Sequence, residues 1–386
     1  MSKRSLLATV AAAAVALATP AMAPAQAASE IKIGVITSTS GPLKSYGEAY
    51  VNGLEWGLNY YTGGKMTVNG QKLVVTKKDD AADPASATAS FKEMVGNGTK
   101  IIVGTASSGV ALTLAPLAQQ NKVLYISGPA KSDLITNASN KYVFRSGNTS
   151  IQDLAPLAGI KPISGRKVVL FVEDNAFGAS NIAAARGLMG PRGATFQEIK
   201  VPTSTSDFTP FAKQAADAKA TYIFIAWSNA LTAGAMLTSL KVQGAFTKTR
   251  PITGLAGADT YNIYGTLFEG TRAIMTNSYF GGAGKGAAAS QLASDYARDK
   301  KSQDLFTCTG ADAARMIVQA LKSNPDQNVD TMISNLEGFS WSGVKGLMKI
   351  NPTNHVLIQP MFLVSLRKTA AGYVPQLDKT IFNVNA

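Results

Sequence analysis

The stretch from Ile101 to Leu134 constrains the fold more than any other part of this 386-residue chain. It opens with a short apolar run, Ile101–Gly104, and such a run between turn-forming residues is typical of a buried strand. A helical spacing of apolar residues follows over 110–120, and a second apolar run at 123–126 predicts another strand. A strand, a helix and a strand in succession predict a βαβ unit, and ligands of open α/β sheets bind beyond the carboxyl ends of such strands.

Two serines, Ser107 and Ser108, stand where the predicted helix begins. The free N–H groups at a helix N-terminus, with the positive end of its dipole, bind carboxylates without any charged side chain. A serine at this position also caps a helix with no ligand involved. The sequence therefore leaves two interpretations of the pair open, a carboxylate site and a helix cap.

Residues 1–27 have the pattern of a secretory signal peptide. A basic start is followed by an apolar segment at 6–18 that is too short to span a membrane, and residues 25–27 supply the small side chains of a cleavage site. Residues 21–23 form a second candidate cleavage site. Because no cysteine lies near either site, a lipid anchor is disfavoured. We expect a soluble mature protein in the periplasm of a Gram-negative bacterium.

The charge and the rare residue types exclude several classes of function. The formal net charge is +13, but the basic residues are scattered and the chain is predicted to be exported, so we expect no nucleic-acid partner. A basic balance remains compatible with an ordinary solvated surface or with an anionic ligand. A single cysteine, Cys308, excludes an intrachain disulfide, and a single histidine, His355, poorly supplies a zinc site or a histidine-dependent triad.

Strand and helix patterns alternate in two series along the chain. The first series runs from a strand at 30–37 to one at 142–146, and the second begins with a helix at 151–160 and a strand at 167–172. Such alternation predicts parallel sheets covered by helices. We therefore predict an α/β fold with two doubly wound parallel-sheet lobes, in which a strand at 273–279 returns to the first lobe.

Hydroxyl, small and aromatic side chains recur at the predicted strand ends of both series. No nucleophile elbow, phosphate-binding loop or dinucleotide fingerprint is present in the sequence. Apolar walls with a few placed donors are what a recognition pocket needs, so we expect a binding protein without cofactor or metal rather than an enzyme. The candidate pocket residues from this pattern are Ser40, Tyr46, Ser107, Ser108, Pro129, Ala130, Phe177 and Trp227.

Five segments match a known family when they are taken together and in order. They are IKIGVITSTSGPLKSYGEAYVNGLEWGLNYYTGG, IIVGTASSGVALTLAPLAQQNKVLYIS, YVFRS, KVVLFVEDNAFG and NPTNHVLIQPMFLV. In these segments the chain resembles the branched-chain (leucine/isoleucine/valine) amino-acid-binding family, periplasmic solute-binding proteins of ABC importers with the type I fold. The resemblance implies two lobes joined by three hinge crossovers that close on a ligand. It implies an N-terminal lobe of 28–147 plus 277–353 and a C-terminal lobe of 148–276 plus 354–386.

The resemblance also implies roles for single residues. Ser108 matches the serine that, with nearby backbone N–H groups, holds the ligand carboxylate. The run Pro129-Ala130-Lys131 matches the second binding loop, Tyr46 an aromatic residue at the pocket mouth, and Phe177 an aromatic residue of the second lobe. The implied partners are a small carboxylate ligand and an inner-membrane ABC permease, with the protein itself a monomer.

Two departures from the family pattern bear on the ligand. Amino-acid binders of the family carry an acid that pairs with the ligand's ammonium group, but here Ala256 takes that place in Gly254-Leu255-Ala256-Gly257. A family aromatic residue is replaced by Cys308. Because an unpaired buried ammonium group is costly, we favour an aromatic or phenolic carboxylate. A branched-chain or other amino acid, an amide or another small polar solute, and a sensor role instead of transport remain alternatives.

Overall fold

The computed structural model describes residues 30–136, 139–254 and 257–385. The predicted signal peptide and Ala256 lie outside the described residues. The described chain forms two lobes, each built on a largely parallel sheet covered by helices, and this confirms the predicted fold class. None of the described helices is both long enough and apolar enough to span a membrane.

The sheet of the first lobe contains six strands in the described residues. Their bounds are Glu30–Thr37 (β1), Thr67–Val68 (β2), Gln71–Asp79 (β3), Ile101–Gly104 (β4), Leu124–Ser127 (β5) and Val143–Arg145 (β6). Their order is β2-β3-β1-β4-β5-β6, with every pair parallel except β2 with β3. All residues of β4, β5 and β6 are buried, as expected for parallel strands with helices on both faces.

The second sheet contains nine strands in the described residues. Their bounds are Lys167–Glu173 (β7), Thr195–Val201 (β8), Tyr222–Ala226 (β9), Arg250–Gly254 (β10), Ile274–Asn277 (β11), Ser340–Gly343 (β12), Gly346–Ile350 (β13), Leu357–Thr369 (β14) and Gly372–Val384 (β15). The order is β12-β13-β14-β11-β10-β9-β7-β8, and β15 pairs with β14. Strands β7 to β11 are parallel to one another, whereas β14 pairs with β11 in the antiparallel direction. A register shift at Pro360 lets β14 contain a residue without a backbone N–H.

Helices link the strands and cover both sheets. Their bounds are Lys44–Tyr61 (α1), Pro84–Gly96 (α2), Ser108–Asn121 (α3), Ser150–Leu154 (α4), Ala176–Met189 (α5), Thr209–Asp217 (α6), Ala233–Val242 (α7), Tyr261–Phe268 (α8), Ala287–Arg298 (α9), Thr307–Ala320 (α10) and Val329–Leu336 (α11). The predicted helix at 151–160 is shorter than expected. It becomes a 3₁₀ turn at Ala155–Gly159, where Pro156 lacks the N–H that an α-helical bond requires.

Helices α1 and α10 of the first lobe pack with their backbones in close approach. A Cβ on Gly53 would lie 2.0 Å from the carbonyl oxygen of Thr307, and a Cβ on Gly310 would lie 2.0 Å from the carbonyl oxygen of Tyr50. Only residues without a side chain allow this separation. The contact closes one side of the core that contains Tyr50 and Ile317.

Two parts of the second sheet differ from the sequence-based expectation. The strand predicted at 273–279 stays in the second sheet, because its residues Ile274–Asn277 pair with β10 and β14, so the return to the first lobe comes after it. The β12–β13 hairpin was not predicted. It hydrogen-bonds to the start of β14, yet Trp341, Met348 and Ile350 belong to the core of the first lobe.

The described chain passes between the lobes three times: after β6, after β11, and between β13 and β14. At the third passage the ring of His355 stacks on Phe144 with 3.9 Å between centroids, and its carbonyl oxygen accepts the N–H of Arg145. Leu357 packs in the core of the first lobe. His355 therefore links the third crossover between the lobes to the end of β6, where the first crossover begins.

Candidate functional site

A cavity of about 520 Å³ lies between the lobes, at the carboxyl ends of the parallel strands of both sheets. Cavities of this size accommodate small molecules. Residues of both lobes line it, so a molecule held there contacts both. Seven residues singled out from the sequence are part of its wall: Tyr46, Ser107, Ser108, Pro129, Lys131, Phe177 and Trp227.

The two serines at the start of α3 have different roles. Ser107 is the N-cap, and its hydroxyl oxygen accepts the N–H of Val110 at 3.4 Å. The Oγ of Ser108 accepts the N–H groups of Lys131 at 3.3 Å and of Ser132 at 3.2 Å. A hydroxyl group has two acceptor sites and one hydrogen to donate. Among the described residues no acceptor takes the hydrogen of Ser108, so this side chain can donate into the cavity.

An ion pair lies in the cavity wall at the first crossover. The Nζ of Lys131 donates to Oδ2 of Asp153 at 2.6 Å, and the two side chains are only 13% and 12% exposed. Asn148 donates to the other carboxylate oxygen at 2.7 Å. Lys131 also lies 5.5 Å above the ring centre of Phe306. Because Lys131 follows β5 and Asp153 belongs to α4, the pair joins the two lobes.

A buried carboxylate, Glu173, orders the wall of the second lobe. It accepts the N–H of Asn229 at 2.9 Å, the side-chain amide of Asn175 at 3.1 Å and the hydroxyl of Ser228. These bonds hold the loop after β9, which presents Trp227 to the cavity. The acids among the described wall residues, Asp153 and Glu173, thus both have donors within the protein.

Aromatic side chains form much of the remaining wall. The rings of Tyr46 and Phe306 meet edge to face, with 5.3 Å between centroids and 88° between planes. Burial raises the pKa of Tyr46 well above its ordinary value, with further contributions from Tyr264 and nearby carboxylates, so the phenol stays protonated. Trp227 packs edge to face on Phe208 at 5.5 Å. Flat apolar surfaces from both lobes therefore face the cavity.

Three predicted residues are not in the cavity wall. Cys308 packs with Tyr279, Leu292 and Tyr296 of a separate cluster beside α9, and burial raises its pKa to about 11. Ser40 stands before the 3₁₀ turn at Gly41–Leu43 and is not among the residues that line the cavity. Ala130 is buried in the core around α3 and supports the second loop through its backbone. Cys308, Ser40 and Ala130 therefore lie outside the cavity wall, while Ala256 lies outside the described residues.

Some wall residues were missed by the sequence reasoning. The sequence pattern predicts a helix over 310–323, but α10 already begins at Thr307, directly after Phe306, which lies in the cavity wall. Asp153 lies on the short helix α4 after the first crossover, and its role depends on the long-range contact with Lys131. Recognising Phe306 would have required an earlier helix start, whereas no local pattern marks Asp153.

Hydrogen bonds also cross the cleft away from the cavity wall. The N–H of Asp133 donates to Oγ of Ser180 at 2.9 Å, and this hydroxyl donates back to the Asp133 carboxylate at 2.8 Å. The carboxylate of Asp304 accepts the N–H of Ala258 at 3.1 Å. Asp133 and Asp304 belong to the first lobe, and their partners belong to the second, so these bonds hold the lobes together.

Two parallel-sheet lobes with a cavity at the facing strand ends define a bilobal solute-binding protein. Residues 30–371 match the model of the periplasmic binding protein family, and the chain belongs to this family. The Leu/Ile/Val-binding protein homolog 3 of Brucella melitensis is 26% identical over 254 residues, which are 64% of this chain and 67% of that protein.

Solved structures are similar over nearly the whole described chain. An ABC-type branched-chain amino acid transporter from Rhodopseudomonas palustris has a TM-score of 0.75 at 28% identity, covering 92% of this chain and 97% of that one. A solute-binding protein from R. palustris in complex with 4-hydroxybenzoate has a TM-score of 0.81 at 20% identity, with 92% and 97% covered. Family and fold are those of periplasmic solute-binding components of ABC transporters, not of enzymes.

Proposed function

We propose that the cavity binds a small organic acid by its carboxylate, and an aromatic or phenolic acid in preference to an amino acid. The observation that carries this proposal is the hydrogen-bonding state of Ser108, whose oxygen is occupied by two N–H donors and whose hydrogen remains for the ligand. The lobes close on the acid by bending at the three crossovers, and the protein delivers it unchanged to an inner-membrane permease.

The carboxylate end of the ligand is supported by the start of α3. The N–H groups of Ser108 and Gly109 have no acceptor within the described residues, and both residues line the cavity. These donors, the Ser108 hydroxyl and the helix dipole all favour a negative charge at the same place. Hydrogen bonds to an ionised group are also stronger than those between neutral groups.

The preference for an aromatic acid is supported by the rest of the wall. Tyr46, Phe177, Trp227 and Phe306 supply flat surfaces, and aromatic pairs contribute about 0.5–1.5 kcal/mol each beyond the buried area. The wall acids Asp153 and Glu173 already bind donors of the protein. An ammonium group would therefore compete with those donors for its partner.

A branched-chain amino acid is the second candidate, and one observation favours it. Oε1 of Glu173 accepts one hydrogen bond, from the N–H of Asn229 at 2.9 Å, so this oxygen of a wall residue can accept a second donor. An ammonium group or a ligand hydroxyl would fit there. The Brucella relative is a Leu/Ile/Val-binding homolog by name, whereas a structural relative holds 4-hydroxybenzoate, so the shared fold alone does not choose between the two.

Calorimetry with 4-hydroxybenzoate and with leucine tests the ligand class. We expect the aromatic acid to bind at least tenfold more tightly, roughly 1.4 kcal/mol, with one site per chain and the ligand recovered unchanged by chromatography. Since the family resemblance gives Ala256 the place of the acid that pairs with the ligand's ammonium group, Ala256→Glu should weaken the binding of the aromatic acid by adding a negative charge. Tight binding of leucine with weak binding of the aromatic acid would contradict the preference and assign the ammonium group to Glu173.

Export is the other testable part of the proposal. We expect the leader to be removed near Ala27, because residues 25–27 have the small side chains that cleavage requires. Mass spectrometry of periplasmic material should find a chain that begins at Ala28. An uncleaved chain retained in the cytoplasm would contradict export.

A further inference from the structure

The side chain of Arg145 is a fully buried cation at the end of β6, where the first crossover begins. Its guanidinium group donates to the carbonyl oxygens of Ala130 at 2.6 Å, Ser132 at 2.7 Å and Asn148 at 3.2 Å. No carboxylate among the described residues forms an ion pair with it. Burial lowers the pKa of Arg145 to about 10, opposed by the charge of Asp133. The protein thus contains a desolvated positive charge that only neutral carbonyl groups contact.

A short chain of hydrogen bonds connects this charge to the cavity. The carbonyl of Ala130 shares its peptide unit with the N–H of Lys131, and that N–H donates to Oγ of Ser108. A cation at the carbonyl end polarises the N–H end, and hydrogen bonds in series strengthen one another. The hydroxyl of Ser108 is therefore made a better donor at the cavity wall.

Other charges near the cavity do not replace this one. Lys131 is paired with Asp153 at 2.6 Å, so its charge is compensated locally. Glu173 belongs to the opposite lobe and binds neutral donors there. Among the described residues, Arg145 is the cation linked to Ser108 that has no carboxylate as a hydrogen-bond partner, although the charge of Asp133 acts on it.

We infer that Arg145 is the buried countercharge for the ligand's carboxylate and determines the selectivity of the site for acids over neutral molecules of the same shape. The inference rests on the proposed function, since it requires a carboxylate at Ser108. An unpaired buried charge is unfavourable, and an anion brought into the adjacent cavity offsets this cost, whereas a neutral ligand does not. Arg145 acts through the second loop and Ser108 and is a positioning residue rather than a ligand contact.

The test compares an acid with its neutral analogue. Dissociation constants of 4-hydroxybenzoate and 4-hydroxybenzamide are measured by calorimetry for the unmutated protein, Arg145→Gln and Arg145→Lys. Arg145→Gln should weaken the acid by roughly tenfold and the amide by less than about threefold, because only the acid uses the charge. Arg145→Lys keeps the charge and should restore most of the preference.

Arg192→Gln is the matched control. Arg192 also donates to two carbonyl groups, those of Leu157 and Ile160, but it lies outside the cavity wall in the second lobe. Its removal should leave the ratio of the two affinities unchanged. An equal loss for acid and amide in Arg145→Gln would overturn the inference and make Arg145 a scaffold residue, while the proposed function would stand.

If Arg145→Gln does not fold, Arg145→Lys is compared with the unmutated protein, and a salt titration of the unmutated protein separates buried from surface charge. Salt screens exposed charges but not a buried one, so the preference for the acid should change less than about threefold between roughly 0.05 and 1 M NaCl. A preference that collapses in salt would assign the effect to surface charge and overturn the inference. An unmutated protein without any preference for the acid would overturn both this inference and the proposed function.

Discussion

Ser108→Ala is expected to weaken the binding of 4-hydroxybenzoate tenfold to a hundredfold. A hydrogen bond to a charged partner contributes about 1.5–3 kcal/mol, and the Ser108 hydroxyl is the cavity donor beside the free N–H groups of α3. The substitution also leaves the N–H groups of Lys131 and Ser132 without their acceptor. The loop that follows β5 is then held by fewer hydrogen bonds. Calorimetry gives the affinity, and thermal unfolding verifies that the fold persists.

Ser107→Ala is the matched control for this result, because it removes a serine hydroxyl group from the preceding residue. Ser107 caps α3 through the N–H of Val110, so its loss should reduce the free energy of unfolding by about 1 kcal/mol. The affinity for the acid should fall by at most about threefold, which is well below the tenfold loss that about 1.4 kcal/mol represents. If both variants lose affinity equally, or if Ser108→Ala loses none, Ser108 does not hold the carboxylate.

Gly310→Ala should have the largest effect on stability. Its Cβ would lie 2.0 Å from the carbonyl oxygen of Tyr50 and 2.5 Å from the backbone nitrogen of Leu54. These are backbone atoms of α1, so the clash is relieved only by separating the two helices. Overpacking of this kind costs about 3 kcal/mol, which lowers the midpoint of thermal unfolding by roughly 6–12 °C.

The matched control is Gly187→Ala in α5, where the same methyl group meets no atom within 4 Å. An exposed helical glycine replaced by alanine should raise the free energy of unfolding by about 1 kcal/mol. Calorimetric unfolding of both variants measures the contrast. Similar shifts in the two variants would mean that the approach of α1 and α10 is not close enough to require glycine.

The alternation of strands and helices could be predicted because it is a local property. Apolar runs such as 101–104 are buried on both faces, and the helices between them carry apolar stripes, so pattern and packing agree. The boundaries depended on contacts that the pattern does not contain. The sequence pattern predicts a helix from Gly310, yet α10 begins at Thr307 and the glycine serves the close approach of α1.

The candidate site was predictable where topology alone determines it. Parallel strands direct their carboxyl ends to one edge, so residues after β4, β5, β7 and β9 meet there, as Ser108, Lys131, Phe177 and Trp227 do. Residues that act through distant partners were not predictable in this way. Cys308 lies beside the same edge but faces α9, because helix rotation decides which side chain reaches the cavity.

The bonds between Asp133 and Ser180 and between Asp304 and Ala258 cross the cleft without any part of a ligand. Their free energy enters the equilibrium between joined and separated lobes, so they set the fraction of ligand-free molecules that is already competent to bind. The measured affinity is the intrinsic affinity multiplied by this fraction. Tightness and choice of ligand are therefore controlled by different residues. Substitutions that remove the side chains of Ser180 or Asp304 would scale the affinity for every ligand alike, so capture can be tuned to solute abundance without altering selectivity.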